Sequence, residues 1–396
     1  MRILQISAFC GQGAPGKIAL GIHNVLENQG HQSIIAWGRA NSAPDTVSTI
    51  QIGKKTDYYA HAIYTRLTDK CGFGSAQATR LFLKKLEAFQ PDLVQLHMLH
   101  GYFINIEILF RHLKENDIPV VWTLHDSWTI TGHCPCFDMI GCEKWRTGCF
   151  QCPQRANHPS SWFVDNSEWN WGKKRELFTS LKNLTIVTPS NWMAGIVAES
   201  FLKDFPITVI HNGINSQVFR PSSSNVKDRI GANGKKLVLG VSSTWAPSKG
   251  LVDFCQLAEK LPKEYQIVLV GLSKKQIQII PDQIIGIEKT DNTQELAELY
   301  TAAHVFVNPT YEDNYPTTNL EALACGTPVI TYQTGGSVEA VEESGAGFVV
   351  GRGDVEALKN AILAIPESKN QKVLYHCDER QRYQEYISLY QRILDS

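Results

Sequence analysis

Charge of one sign is what this chain of 396 residues most clearly lacks. Its 38 Lys and Arg stand against 39 Asp and Glu, a net charge of −1. That balance excludes a general nucleic-acid binder, which carries a strong basic excess. Long apolar runs are also missing. None approaches the roughly eighteen uninterrupted residues of a transmembrane helix, so none is expected. The start, Met1-Arg2-Ile3-Leu4-Gln5-Ile6, enters a strand-like pattern at once, without the apolar stretch and small-residue cleavage site of a secretory leader. The expected location is therefore cytoplasmic, and the ten cysteines are expected as reduced thiols or metal ligands. What the chain does have, 43% hydrophobic and 19% charged residues, excludes a disordered polymer. At roughly 150 residues per domain, two or three domains are expected, with cores large enough to fold without disulfides or metals.

Short, β-branched apolar runs alternate with longer amphipathic stretches. The runs include Ile3–Ala8, Leu93–Leu96, Val120–Leu124, Leu184–Val187, Leu237–Val241, Ile267–Val270, Val305–Val307 and Val329–Thr331. Continuous runs of this length suit strands buried on both faces. Between them lie helical patterns such as Ile18–Asn28, Ala76–Phe89, Ile104–Lys114, Leu251–Leu261, Thr318–Cys325 and Val355–Leu363. Repeated alternation of this kind means α/β architecture, with parallel sheets covered by helices. The turn-rich Arg220-Pro221-Ser222-Ser223-Ser224-Asn225 and the polar Gly231 to Lys236 read as a linker before a fresh strand. The predicted organisation is an N-terminal Rossmann-like domain over 1–215, a second over 216–375, and a C-terminal helix over 376–396. That helix carries Tyr383, Tyr386, Ile387, Tyr390, Ile393 and Leu394 as an apolar stripe, which packs either on the first domain or on its own.

Two segments stand at strand ends. Gly11-Gln12-Gly13-Ala14-Pro15-Gly16-Lys17 nearly matches a P-loop, but Ile18 stands where a magnesium-ligating Ser or Thr is required, and Pro15 removes a backbone N–H. A nucleoside-triphosphatase is therefore not expected. Gly13 and Gly16 at a helix start can still hold an anion through backbone N–H groups, or simply make a tight turn. The second segment runs from Thr310 through Glu312, Asp313, Asn314, Tyr315 and Glu321 to Gly326-Thr327-Pro328. In open α/β sheets ligands sit at the carboxyl ends of strands. A carboxylate at Glu321, among Leu320, Ala322 and Leu323, suits a ribose diol; an exposed helix Glu is the other reading.

This second segment resembles the acidic signature of family 4 glycosyltransferases, two acidic residues with seven between them. Asp313 and Glu321 have that spacing, with Asp where the family usually has Glu. His211-Asn212-Gly213-Ile214-Asn215, followed by Phe219 and Pro221, resembles the family's hinge signature. Gly240-Val241 through Ser248-Lys249-Gly250 resembles its diphosphate-binding loop, with Thr244 where the family commonly has Arg. Gly335-Gly336 with Glu339, and Gly345-Ala346-Gly347-Phe348 with Asp354, resemble later landmarks. The resemblance implies a GT-B fold, two Rossmann-like doubly wound domains facing across a cleft. It implies a retaining enzyme that moves a sugar from a nucleotide-diphosphate sugar to a glycan or lipid-linked glycan, with no catalytic metal or other cofactor. An epimerase or phosphorylase on the same fold, or a non-catalytic nucleotide-sugar or glycan-binding protein, are the alternatives. On this resemblance His125, Lys249 and Asp313 are the catalytic candidates. Gly13, Gly16, Thr244, Lys249, Glu312, Asp313, Asn314, Tyr315 and Glu321 are the donor-binding ones. For His125, just past a strand end, a purely structural role is the competing reading.

The oddest feature is a cysteine cluster within 133–152: His133, Cys134, Cys136, Cys142, Cys149 and Cys152. Cys149-Phe150-Gln151-Cys152 has good metal half-site spacing and Cys134-Pro135-Cys136 poor spacing. Structural zinc held by four of these residues is one reading; disulfides or unligated thiols are the other. Cys-rich insertions of this kind also occur in glycosyltransferases of bacterial exopolysaccharide, capsule and O-antigen assembly, which the resemblance makes the expected setting. Finally, Tyr64 to Lys85 gathers Arg66, Lys70, Arg80, Lys84 and Lys85 against Asp69. It reads as an ordinary amphipathic surface, or as a contact with the inner face of an anionic membrane.

Overall fold

The computed structural model describes residues 1–39, 43–44, 46–366 and 375–396. The chain divides into two compact units, Met1–His211 with Arg382–Ser396, and Asn212–Gln381. Residues 367–374, at the end of the second predicted domain, lie outside the described residues.

The first unit is a seven-stranded parallel sheet of β1 (Arg2–Ser7), β2 (Gln32–Trp37), β3 (Thr49–Gln51), β4 (Leu93–Leu96), β5 (Val120–Thr123), β6 (Leu184–Thr188) and β7 (Ile207–Val209), in the order β3-β2-β1-β4-β5-β6-β7. The second is a six-stranded parallel sheet of β8 (Lys236–Val241), β9 (Tyr265–Val270), β10 (Ile284–Ile287), β11 (Val305–Asn308), β12 (Val329–Tyr332) and β13 (Gly347–Val350), in the order β10-β9-β8-β11-β12-β13. Both sheets are doubly wound, and the order reverses once in each, between β1 and β4 and between β8 and β11. Every residue of β4, β5, β11 and β12 is buried, as strands covered on both faces require.

The eight apolar runs read from the sequence are all strands. Of the five it did not single out, four are the sheet edges: β3 and β7 have three residues each, and β10 and β13 are half-buried and carry Gly286 and Gly347; the fifth, β2, lies inside its sheet between β3 and β1. Edge position removes the continuous apolar signal that marks the centre. The helix expected over Ile18–Asn28 begins earlier, at Gly13. Gly13-Ala14-Pro15-Gly16-Lys17 is therefore its first turn rather than a loop before it. Pro15 is tolerated there because N–H groups of the first turn have no intrahelical acceptor. Gly16 lies against Phe9, whose carbonyl oxygen would be 3.1 Å from a Cβ.

The final helix, Glu379–Leu394, buries Tyr383, Tyr386, Ile387 and Tyr390 against Ile3, Ile22, Leu93 and Val121 of the first unit. Its tyrosines are tied in as well: Tyr390 donates to Gln95 Oε1 at 3.1 Å and Thr123 donates to the Tyr386 oxygen at 3.2 Å. Gly21 is needed for the close approach, since a Cβ there would sit 2.1 Å from the Tyr383 ring.

Candidate active site

In the second unit the chain makes one tight junction at the switch point. The connection after β8 carries the short turn Pro247–Lys249, and the connection after the neighbouring strand β11 carries Thr310 to Asn314. The two are zipped together: Tyr311 N donates to Ser248 O at 2.7 Å, and Thr310 Oγ1 reaches the same carbonyl at 3.3 Å. Gly250 allows this approach, with φ at +72° and room for no Cβ, which would lie 2.3 Å from Pro309 O. Lys249 Nζ is thereby brought to Asp313 Oδ2 at 2.7 Å, and to Thr310 Oγ1 and Glu312 O at 3.3 Å each. Both partners of the ion pair are partly open, at 29% and 22% side-chain exposure. The ammonium is held in place while remaining reachable by an anion.

Glu321 lies on the next helix, Thr317–Ala324, with Oε2 accepting from the fully buried Tyr300 hydroxyl at 2.9 Å. Burial, and the carboxylate it faces, hold the Tyr300 phenol well above its ordinary range. A buried amide network seats that helix. Asn308 at the end of β11 donates to Asn319 Oδ1 at 2.8 Å, and Asn319 donates to Ser337 O at 2.9 Å. Asn319, Ser337 and Thr331 are completely buried, so each must be satisfied internally. Sequence reasoning missed this network; its signal is Asn308, a lone amide ending the apolar run Val305–Val307. Of the other donor-binding candidates, Glu312 and Asn314 sit on the same connection, half-buried, and Glu312 contributes its carbonyl. Thr244 is exposed on the β8 connection. Tyr315 is 3% exposed and packs in the core, its carbonyl accepting from Asn212 Nδ2 at 2.9 Å.

In the first unit His125 follows β5 and lies beside His97, which follows β4. Their rings stack at 5.4 Å, with His97 Nδ1 3.1 Å from His125 Nε2. The tautomers follow from the far end of the chain of bonds. Gln5 Nε2 donates to Ala19 O at 2.9 Å, so Gln5 Oε1 must accept from His97 Nε2 at 3.2 Å. Neutral His97 then accepts at Nδ1 from His125 Nε2–H, leaving the His125 lone pair on Nδ1. Burial drives His125 down to about 4, with Asp126 opposing and His100 reinforcing, and holds His97 well below its ordinary value. His125 is therefore a neutral hydrogen-bonding group near neutrality rather than a cation. Asp126 turns to a different histidine, His100 Nε2 at 2.7 Å, and also accepts from Trp128 N at 3.0 Å. Burial raises this carboxyl, but His100 and the Trp128 N–H outweigh it and the net direction is down. Gly13 and Gly16 lie in this unit, at the start of the helix that follows β1.

Burial also lowers His61 to about 3 and His158 to about 4. These two and His125 stay neutral in the fold, while the unfolded chain protonates them near 6.5. Between those values the unfolded state binds protons that the native state does not, so stability falls as pH drops from about 6.5 toward 4. Each histidine contributes up to about 1.4 kcal/mol per pH unit in that window. His133 works the other way: burial lowers it, but Asp69 raises it to a net upward shift. His97, His23 and His31 are lowered by burial as well, and these six outweigh His133, so the urea midpoint is expected to be lower at pH 5 than at pH 7. An unchanged or higher midpoint would contradict these burials.

The cysteine segment lies between β5 and the helix Ser167–Phe178, where the only regular element is a single turn at Lys144–Arg146. It is nonetheless well packed: Trp128, Phe137 and Trp145 are buried in the first unit's core, and Trp145 stacks on Phe137 at 5.1 Å. None of its five cysteines is in a disulfide. Cys134 donates to Cys152, which raises the first thiol and lowers the second to about 7. His133 is used elsewhere, with Nδ1 2.5 Å from Asp69 Oδ1. Among the described residues no three His, Cys, Asp or Glu side chains already stand at metal-binding spacing.

Two open parallel sheets, with polar side chains gathered where the strand order reverses, define a two-unit Rossmann-like α/β protein. Comparison with known proteins gives the family. Residues 17–218 match the family described as Glycosyltransferase Family 4, and residues 222–387 match glycosyl transferases group 1. The first match alone covers more than half of the chain, which belongs to the family 4 glycosyltransferases. The chain is 25% identical, over 99% of its length and 100% of the relative's, to WcaC of Escherichia coli strain K12, named as a colanic acid biosynthesis glycosyl transferase. Among solved structures it is similar in fold to the sucrose-phosphate synthase of Thermosynechococcus elongatus, with TM-score 0.68, 18% identity, and coverage of 99% and 97% of the two chains. It is similarly close to the Anabaena protein HepE in complex with UDP-glucose, with TM-score 0.63, 15% identity, and coverage of 100% and 98%. The sequence reading of a GT-B glycosyltransferase in surface-polysaccharide synthesis agrees with these matches. Among the described residues no helix is long and apolar enough to cross a membrane.

Proposed function

We propose that the chain transfers one sugar, with retention of anomeric configuration, from a nucleoside-diphosphate sugar to a glycan or lipid-linked glycan of a surface polysaccharide. The observation that carries the reading is the Lys249–Asp313 pair at the second sheet's switch point, one helix away from the Tyr300-braced Glu321. The leaving group of such a donor is a diphosphate, and negative charge grows on it as the glycosidic bond breaks. Lys249 is the group that meets that charge, with Asp313 holding its ammonium in place beforehand. Glu321, whose two carboxylate oxygens can accept several hydrogen bonds, takes the ribose hydroxyls. Thr244, Glu312 and Asn314 complete the donor loop, Tyr315 supports it from the core, and in the first unit Gly13 offers a backbone N–H at the helix start while Gly16 lets that helix pack on Phe9. His125 is the neutral hydrogen-bonding group of the first unit that meets a donor-sugar hydroxyl. No protein nucleophile is assigned; the departing phosphate oxygen accepts the acceptor's proton, and the protein supplies position and charge without a catalytic metal.

A thermal-shift panel of UDP-, GDP- and ADP-sugars tests the reading. One donor is expected to stabilise the protein by about 2.7 kcal/mol at a hundred times its dissociation constant. No response to any of them would remove it. Contact with an anionic membrane is part of the same proposal, carried by the exposed Tyr59, Ile63 and Leu67 on the helix Lys55–Thr68 and the exposed Trp162 and Phe163, with Arg66 over the Trp162 ring. Flotation with vesicles containing anionic lipid is expected and should fail with neutral vesicles; equal behaviour with both would sink the contact.

A further inference from the structure

The sequence left open which four of six residues in the cysteine cluster act together, and whether as metal ligands. The structure sorts them. Cys134, Cys142, Cys149 and Cys152 line one small cavity, and Cys136 is not in its lining. His133 borders it, but its Nδ1 is taken by Asp69 and its Nε2 faces Asn157 O at 3.4 Å. One of the sulfurs receives a backbone hydrogen bond: Gly132 N donates to Cys149 Sγ at 3.2 Å. Such a donor favours thiolate over thiol.

A second observation stands apart from the cysteines. Lys174 is 1% exposed, with Nζ donating to Trp128 O at 2.7 Å and Thr131 O at 3.0 Å and lying 3.4 Å from the centre of the Trp128 ring. Among the described residues it has no carboxylate at ion-pair distance, and burial pushes its ammonium down to about 7, against Cys71, Cys149, Cys134 and Asp126, which raise it. A buried amine is a full cation at neutral pH only beside a counter-charge. The segment itself gives a third. Residues 124–166 pack large aromatics with almost no regular structure, and a stretch of that kind needs a fixed point to offset its ordering entropy.

The geometry points to a structural zinc site formed by the thiolates of Cys134, Cys142, Cys149 and Cys152, with Lys174 as the neighbouring counter-cation. The four sulfurs line the cavity but are not yet gathered around one point. Binding gathers them through metal–sulfur bonds. One Zn²⁺ displaces four protons, one from each thiol, and the tetrathiolate carries a net charge of −2 beside the Lys174 ammonium. No electron is transferred. Two disulfides would use the same four sulfurs but leave Lys174 without a counter-charge.

The full chain, purified without a tag under reducing conditions, is expected to hold one zinc per chain by elemental analysis. Its cobalt-substituted form is expected to show the intense sulfur-to-cobalt absorption and tetrahedral bands of four thiolate ligands. Cys136→Ser should keep both properties. Cys152→Ser should lose the tetrathiolate spectrum, and Lys174→Met should bind zinc ten- to a hundredfold more weakly, as loss of a supporting group does. Should Cys152→Ser fail to fold, X-ray absorption of the wild-type zinc protein decides, with four sulfur neighbours expected. Protein that neither contains nor takes up zinc, a shell with nitrogen or fewer than four sulfurs, or loss of metal in Cys136→Ser would each overturn the assignment.

Discussion

Lys249→Ala is expected to lower turnover by about 10²–10³-fold while changing the affinity for the free nucleoside little. Removing one fixed stabiliser of charge that develops in the transition state costs about 2.7–4 kcal/mol. Lys249 is suited to that role because its ammonium is the cation held at the junction of the β8 and β11 connections by Thr310, Glu312 O and Asp313. It is also partly open, so its loss leaves Asp313 in contact with water rather than as an uncompensated buried charge. The variant should therefore fold normally. Lys249→Arg is not a conservative control, because a planar guanidinium does not fit three acceptors arranged for a compact ammonium. Steady-state release of nucleoside diphosphate, set beside calorimetric binding of the nucleoside, separates the two effects. Turnover within threefold of wild type would mean that another cation meets the phosphate charge.

Glu321→Ala is expected to weaken donor binding by ten- to a hundredfold, the roughly 1.5–3 kcal/mol of a hydrogen bond to a charged group. The structure adds a second effect that the sequence did not show. Tyr300 is fully buried and donates to this carboxylate, so the alanine variant leaves a buried hydroxyl without that partner and should lose about 1–3 kcal/mol of stability. Glu321→Gln separates the two. Its side-chain oxygen can still accept from Tyr300, so stability should recover while donor affinity stays reduced. Donor affinity within twofold of wild type in both variants would remove the ribose role.

What the sequence showed and what it hid follow from burial. Strands at the sheet centres were legible because they are covered on both faces and read as unbroken apolar runs. Edge strands such as β3 and β13 pack on fewer neighbours and carry no such run. The motif residues Lys249, Asp313 and Glu321 were legible through their spacing along the chain. Their supports were not, because spacing says nothing about which distant side chain turns toward them. Tyr300 reaches Glu321 from the preceding helix, and Gln5 fixes the tautomer of His125 through His97 across three strands. Asp126 directly follows His125 along the chain, yet adjacent residues point in different directions, and its partner is His100. The near P-loop placed the start of the helix too late. Its glycines and Pro15 are the helix's first turn, where proline costs no hydrogen bond. In the cysteine segment the half-site spacing of Cys149 and Cys152 was visible, but Cys134 was readable only as half of a poor pair with Cys136. In the folded chain it stands with Cys152 instead.

The central claim is that this chain moves a sugar from a nucleoside-diphosphate donor with its anomeric configuration kept. The most direct measurement is proton NMR of the reaction with an α-linked donor identified by the thermal-shift panel. It follows release of the nucleoside diphosphate together with the first anomer formed on the acceptor or, in slow hydrolysis, on water. The account predicts stoichiometric diphosphate release and an α product, with both lost in step in Lys249→Ala. A β product as the first species, or a donor that binds and is never cleaved with any glycan acceptor, would contradict it.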